Sequence, residues 1–369
     1  MRKEQILRAR MPELDSLRGV AILSVVLYHG LFWSNNLTGL SGLARMVVNL
    51  TRFGWLGVNL FFVLSGFLIT GILVSQKASP NYYSHFYFRR VVRILPALYA
   101  LLLILCFVPN QSYKYLLLSF FFCANLATLF HIPYTYSVLW SLAVEEHFYL
   151  LWPWAVRRLG MRFLYFLIAL LLIAAPVFRA LAFARPLPEG FGALTWQAWD
   201  AVAIGALLAL LVREPWITRR LLIWIACSCL AVAGLGLAAG APFGILTRTE
   251  PLGATLMLSL ISLTFFSVVG IAIWCGSGVQ APLVQWRILR FYGEISYGLY
   301  LYHLLAFIGF DWAQSILWLQ ARASLGIAGA LFMRMSVVLA AATGLSYISR
   351  RFYEERFLKL RRPTFKSAG

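Results

Sequence analysis

His29 stands just beyond a run, Val20 to Leu27, in which Ser24 is the only polar side chain. An imidazole takes up and returns a proton near neutral pH, so it suits general acid–base work. Arg18 and Asp15 precede the run, in the string Leu14-Asp15-Ser16-Leu17-Arg18-Gly19. The step from Arg18 to His29 is about three helical turns, which points both side chains the same way, roughly 16 Å apart along the axis. Asp15 falls close to the same face. The run reads as a first membrane span. An ionisable group inside a bilayer costs about 2.5–3.5 kcal/mol on insertion scales, so such groups usually line a site or a pathway. The structural alternative has Arg18 reaching the headgroups and His29 bonding a neighbouring helix.

A second cluster, His85-Phe86-Tyr87-Phe88-Arg89-Arg90-Val91-Val92-Arg93, leads into the third apolar run. On a helix, Arg89 and Arg93 stand at i,i+4 and Arg90 and Arg93 at i,i+3, a neighbouring set. Guanidinium groups donate in a fixed fork that matches phosphate oxygens. The pyrophosphate and ribose phosphate of coenzyme A fit that chemistry; ordinary cytoplasmic positive charge and lipid-phosphate contact are the alternative. A third cluster holds Ser141, Glu145, Glu146, His147 and Tyr149 inside an aromatic-rich run. Adjacent helical residues point about 100° apart, so Glu145 and Glu146 cannot share one task. One is expected to face a site while the other ties helices together, unless both form structural ion pairs. Ser296, Tyr300 and His303 share a helix face near the C-terminus. His147 and His303 are expected to matter far less than His29. Arg350 to Arg356 reads as a headgroup-level clamp with internal ion pairs, and the small residues of Gly57 to Gly66 as a site of close helix packing.

These groups need a membrane scaffold. The chain is 61% hydrophobic and 12% charged, with a mean hydropathy of +0.79, which excludes an ordinary soluble fold. The expected class is all-α: a polytopic membrane protein with about ten transmembrane helices and one further re-entrant or interfacial apolar segment. Spans are expected near 16–33, 54–75, 93–109, 137–156, 162–183, 196–212, 221–240, 254–275, 291–310 and 329–349. A net charge of +19 would suggest nucleic acid in a soluble chain. Here the basic residues gather in short loops, the positive-inside pattern. If 115–131 does not cross, every basic loop falls on one side with both termini, the cytoplasmic one. No cleavable signal peptide is expected. Residues 1–360 read as one domain and 361–369 as a short cytoplasmic tail. Cys106, Cys123, Cys227, Cys229 and Cys275 lie in apolar runs without metal-ligand spacing, and are expected to pack rather than bind metal or pair.

Taken in order, the strings LDSLRG with His29, GVNLFFVLSGFLI, FYFRRVVRILPALY, LWSLAVEEHFYLLWP and GEISYGLYLYH resemble acyltransferase family 3, the integral-membrane acyl-transferring enzymes. YEERFLKL is a weaker match, because the proline usual there is absent. The resemblance runs from about Leu14 to Leu360. It implies transfer of an acyl group, commonly acetyl from cytoplasmic acetyl-CoA, to a hydroxyl of a surface glycan, lipid-linked sugar, peptidoglycan or antibiotic such as a macrolide. It also implies a bacterial inner-membrane protein with no metal. His29 matches the family's first-span histidine, Arg18 the arginine before it, and Arg90 and Arg93 its paired arginines. Glu145 and Glu146 match its acidic pair.

The implied chemistry has His29 as general base, with Glu145 or Glu146 as the acidic partner that orients it. Asp15 is about 21 Å away along the helix and cannot be that partner. Acyl transfer through His29 itself is the two-step variant. Buried histidine, arginine and glutamate also suit a proton-coupled carrier or flippase of a lipid-linked glycan. A membrane interaction protein held together by its charges is the remaining reading.

Overall fold

The structure, a computed structural model, describes residues 6–8, 10–33, 39–184, 194–276, 278–313 and 315–359. Residues 361–369, expected as a tail, lie outside the described residues. Among the described residues all regular structure is helical. In chain order the helices are α1 (Pro12–Leu27), α2 (Gly42–Thr51), α3 (Gly57–Ser75), α4 (Tyr82–Leu105), α5 (Tyr113–Phe120), α6 (Leu139–Arg158), α7 (Met161–Ala184) and α8 (Thr195–Leu211). Then follow α9 (Arg219–Gly240), α10 (Pro251–Gly276), α11 (Ala281–Val284), α12 (Arg287–Glu294), α13 (Ser296–Ala313), α14 (Ser315–Ile348) and α15 (Glu355–Leu358). π-Helical turns extend α1 over Tyr28–Trp33 and α14 over Ser349–Glu354.

Nine of the ten expected spans fall largely on one helix each, while 291–310 straddles α12 and α13. Six helical stretches among the described residues are long and apolar enough to cross a bilayer: Pro12–Trp33, Gly42–Ser75, Met161–Ala184, Arg219–Phe243, Pro251–Gly276 and Ser324–Leu358. Thr195–Leu211 is apolar but shorter. The other three expected spans carry the polar groups of interest: arginines on α4, Glu145 and Glu146 on α6, His303 and Asp311 on α13. The 115–131 run is broken. Ser112 caps α5 by accepting from the Tyr115 N–H, and α5 ends after eight residues. A 3₁₀ stretch, Ala124–Phe130, follows and stops at His131 in the left-handed region, φ 52°. Eight residues rise about 12 Å, well short of a hydrocarbon core about 30 Å thick.

The chain divides into two compact units. The first comprises 1–22, 55–78 and 112–294, and so holds the start of α1 with α3 and α5 to α12. Pro12 opens α1 and Glu13 and Asp15 occupy its first turn, which suits the unpaired N–H groups there. Glu13 is fully buried, paired with Arg8 and accepting from Gln285 Nε2 at 3.2 Å. The small-residue reading holds at the α3–α8 crossing. A Cβ on Gly66 would overlap the Val202 carbonyl, and one on Gly205 the Val63 carbonyl. Arg179 of α7 is fully buried. It donates to Asp200 Oδ2 at 2.8 Å, Ser259 Oγ at 2.6 Å and the carbonyls of Thr255 and Gln197, tying α7, α8 and α10. Outward on α7, Phe163, Phe166, Leu170, Ile173 and Val177 stay exposed, a continuous apolar face that suits lipid.

The second unit comprises 23–54, 79–111 and 295–369. It holds the end of α1 with α2, α4, α13, α14 and α15. α14 is interrupted at Gly326, whose φ of 67° and ψ of 177° no ordinary helical residue adopts. All five cysteines are free thiols; Cys106 and Cys227 are exposed rather than packed, a correction to their apolar-run reading.

Candidate active site

α1 is α-helical through Leu27, so the sequence register holds that far. At Tyr28 it widens into a π-helix, with His29 in its first turn. Such segments are rare and recur at functional sites, because the extra residue per turn re-aims side chains and loosens carbonyls. Gly30 follows, and a Cβ there would overlap Met335 Sδ and the Phe307 ring. The Gly30 carbonyl accepts from Arg334 Nη1 at 3.3 Å. Arg334 is 4% exposed, makes a two-pronged pair with Asp311 at 2.8 and 2.6 Å, and stacks on Phe307 at 4.8 Å. α13 and α14 thus clamp the turn that carries His29.

His29 Nδ1 lies 3.0 Å from the Val25 carbonyl and 3.2 Å from His303 Nε2. The two rings are 5.1 Å apart and tilted by 48°. His303 is fully buried, with Nδ1 3.0 Å from the Leu299 carbonyl, whereas His29 keeps some exposed surface. The sequence reading does not connect these two histidines. The Ser296–Tyr300–His303 stripe marked the right helix face, but nothing in the spacing shows which helix it meets.

α4 is continuous through Arg89, Arg90 and Arg93, so the three guanidinium groups occupy neighbouring turns of one helix. The Arg90 guanidinium lies over the Phe86 ring at 5.5 Å. His85, at the outer end of this cluster, is pushed below the ordinary histidine pKa by desolvation and then by Arg89. It is therefore largely neutral at pH 7, and arginine supplies the positive charge. Beyond the arginines, Pro96 sits inside the helix, and Tyr297 Oη and Tyr302 Oη donate to the Ile94 and Ala97 carbonyls at 2.7 and 3.4 Å. Tyr302 also meets Ser349 Oγ, which donates to Glu354 Oε1 at 3.0 Å. Glu354 is 6% exposed and within electrostatic reach of Arg350 and Arg93. Of the ion pairs expected within Arg350 to Arg356, Arg351 and Glu355 form an exposed i,i+4 pair at 3.2 Å. Glu354 is buried beside the arginine helix instead. Its only signal was its place in the weak YEERFLKL string.

Arg18, Glu145 and Glu146 belong to the first unit. Gly19, next to Arg18, is where α1 crosses α12: a Cβ there would overlap the Leu289 carbonyl, and one on Gly293 the Asp15 carbonyl. Glu145 Oε1 accepts from Ser65 Oγ at 2.8 Å and Oε2 from Tyr149 Oη at 3.2 Å, and Tyr149 Oη lies 3.1 Å from Ser65 Oγ. The ring joins α3 to α6. Tyr149 was foreseen beside Glu145; Ser65 was read only as a packing residue. Ser141 donates to the Val138 carbonyl at 3.1 Å. His147 Nδ1 bonds Thr195 Oγ1 at 2.7 Å, and Asn125 Nδ2 donates to the same oxygen. Both are structural links. Among the described residues, no group of three or more His, Cys, Asp or Glu side chains converges as a metal site would require.

A family profile for the acyltransferase domain matches residues 11–351, through both units. Over 340 residues the chain is 29% identical to YrhL of Bacillus subtilis, provisionally named a peptidoglycan O-acetyltransferase, covering 79% of this chain and 48% of that one. It is 34% identical over 166 residues to the peptidoglycan O-acetyltransferase OatA of Listeria monocytogenes, covering 40% and 24% of the two chains. With the O-acetyltransferase OatA of Staphylococcus aureus the identity is 32% over 171 residues, covering 42% and 26%. The chain thus aligns with less than half the length of these relatives. No solved structure matches it. The strings around His29, Arg90 and Glu145 lie on one profile spanning nearly the whole sequence, and the chain belongs to acyltransferase family 3.

Proposed function

We propose that this protein is a bacterial inner-membrane O-acetyltransferase that moves acetyl from cytoplasmic acetyl-CoA to a hydroxyl of a cell-surface glycan. The observation that carries this reading is His29 on its clamped π-helical turn, in one compact unit with Arg90 and Arg93. Peptidoglycan is the acceptor class suggested by the relatives' names. Arg90 and Arg93 bind the donor phosphates; Arg18 is assigned to the donor by the resemblance alone. His29 takes the proton of the acceptor hydroxyl as its oxygen attacks the thioester carbonyl. The tetrahedral intermediate collapses, the C–S bond breaks, and the proton passes from His29 to the departing thiolate. An O-acetyl ester and free coenzyme A result. Both carboxylate oxygens of Glu145 are engaged by hydroxyls, which suits the helix-tying member of the acidic pair. Glu146 is then our candidate for the functional member of the pair.

The test uses the purified full chain in vesicles with radiolabelled acetyl-CoA and a lipid-linked glycan acceptor. General-base help is worth about 10²–10⁴-fold, so His29→Ala should lose that much turnover while still binding acetyl-CoA. Glu146→Gln should lose turnover with its melting temperature kept, and Glu145→Gln should lose melting temperature. Near-native turnover in His29→Ala would remove its catalytic role and return it to packing, whereas glycan movement across the vesicle without acetylation would sink the enzyme reading in favour of a carrier.

A further inference from the structure

We propose that His303 is a positioning residue that fixes the tautomer of His29 and delivers its lone pair at Nε2. The inference rests on His29 being the base and adds the group that makes it one. A carbonyl oxygen only accepts, so the contact of 3.0 Å between His303 Nδ1 and the Leu299 carbonyl places the His303 proton on Nδ1. In the neutral ring the other nitrogen, Nε2, is then an acceptor. It lies 3.2 Å from His29 Nδ1, and two lone pairs do not face each other at that distance. The His29 proton is therefore on Nδ1, shared between His303 Nε2 and the Val25 carbonyl at 3.0 Å. That leaves the basic lone pair on His29 Nε2.

The arrangement has the logic of an acidic partner behind a catalytic histidine, with a neutral imidazole in the carboxylate's place. When His29 Nε2 gains the acceptor's proton, its Nδ1–H stays bonded to His303 and the ring keeps its orientation. His303 is fully buried and anchored to its own helix, so it cannot follow His29 if His29 turns. Arg334 on the Gly30 carbonyl fixes the same turn from the other side.

The test measures turnover of the full chain in vesicles together with ¹⁵N-histidine spectra of the detergent-solubilised protein. In the unsubstituted protein the protonated nitrogen of His29 should be Nδ1. His303→Phe fills the space without an acceptor. It should lower kcat by about ten- to a hundredfold, the scale on which orienting partners of histidines act, with KM for acetyl-CoA unchanged. The His29 signal should then divide between both tautomers. His303→Gln keeps an acceptor and should recover most of the turnover; it also decides the matter if His303→Phe does not fold. The proposal is overturned if His29 carries its proton on Nε2 in the unsubstituted protein, if His303→Phe turns over normally, or if His303→Gln is as slow as His303→Phe. Native turnover in His29→Ala would instead overturn the base assignment, which the spectrum reports separately.

Discussion

At the scale of single residues, the arginine cluster shows how side-chain type and placement combine. Lysine would keep the charge of Arg90 and lose both its planar fork and its stacking on Phe86. Arg90→Lys should therefore raise KM for acetyl-CoA with the fold intact, and Arg90→Ala with Arg93→Ala should raise it further. Unchanged acetyl-CoA affinity in the double variant, measured by calorimetry, would move these arginines to a topological role. Arginine spacing was legible because i,i+3 and i,i+4 neighbours follow from one helix alone. The burial of Glu354 beside Arg93 was not, because the sequence interval between them says nothing about proximity. Asp200 and Arg179 were also missed. Each sits alone in an apolar run, and only the packing of α7 on α8 completes the pair.

At the scale of elements, backbone proximity sets what substitutions cost. α3 and α8 cross with Gly66 and Gly205 each facing a carbonyl of the other helix. Gly205→Leu forces the helices apart, at about 1–3 kcal/mol by the usual cost of overpacking. Gly234 of α9 has open space around its Cα, so Gly234→Leu is the matched control and should change little. Thermal unfolding in detergent separates them; equal melting temperatures would refute the crossing. The small residues of α3 announced a close approach, and the structure supplied α8 as the partner. The π-helical turn at Tyr28–Trp33 had no such signal. YHGLFW has no composition that distinguishes π from α. The turn coincides with tertiary demands: Gly30 against Phe307 and Met335, and its carbonyl on Arg334.

For the molecule as a whole, loop charge and hydropathy lead to a topology that can be measured. With 115–131 on one side of the bilayer, positions 114 and 133 should be labelled from the same, outer face. Position 158 should be labelled from the cytoplasmic face. Lys114→Cys, Pro133→Cys and Arg158→Cys in a cysteine-free background, with an impermeant maleimide, check this. Opposite faces for 114 and 133 would turn the segment into a crossing and reverse every basic loop after it. The break between α5 and the 3₁₀ stretch favours the first outcome, since neither piece reaches across.

Helical class, the positions of the apolar helices and the family were all readable from the chain itself. They depend on local periodicity, on transfer of side chains into lipid and on strings of neighbouring residues, quantities that a linear sequence carries in full. The same locality exposed His29, since a histidine in an apolar run is conspicuous wherever it packs. Its partnership with His303 arises between residues 274 apart in the chain. The division of Glu145 toward Ser65 and Tyr149, and the Arg334 clamp on Gly30, likewise arise where separate helices meet. Those meetings depend on crossing geometry, on where a glycine lets backbones touch and where a helix widens by one residue. No pattern within a single helix encodes them.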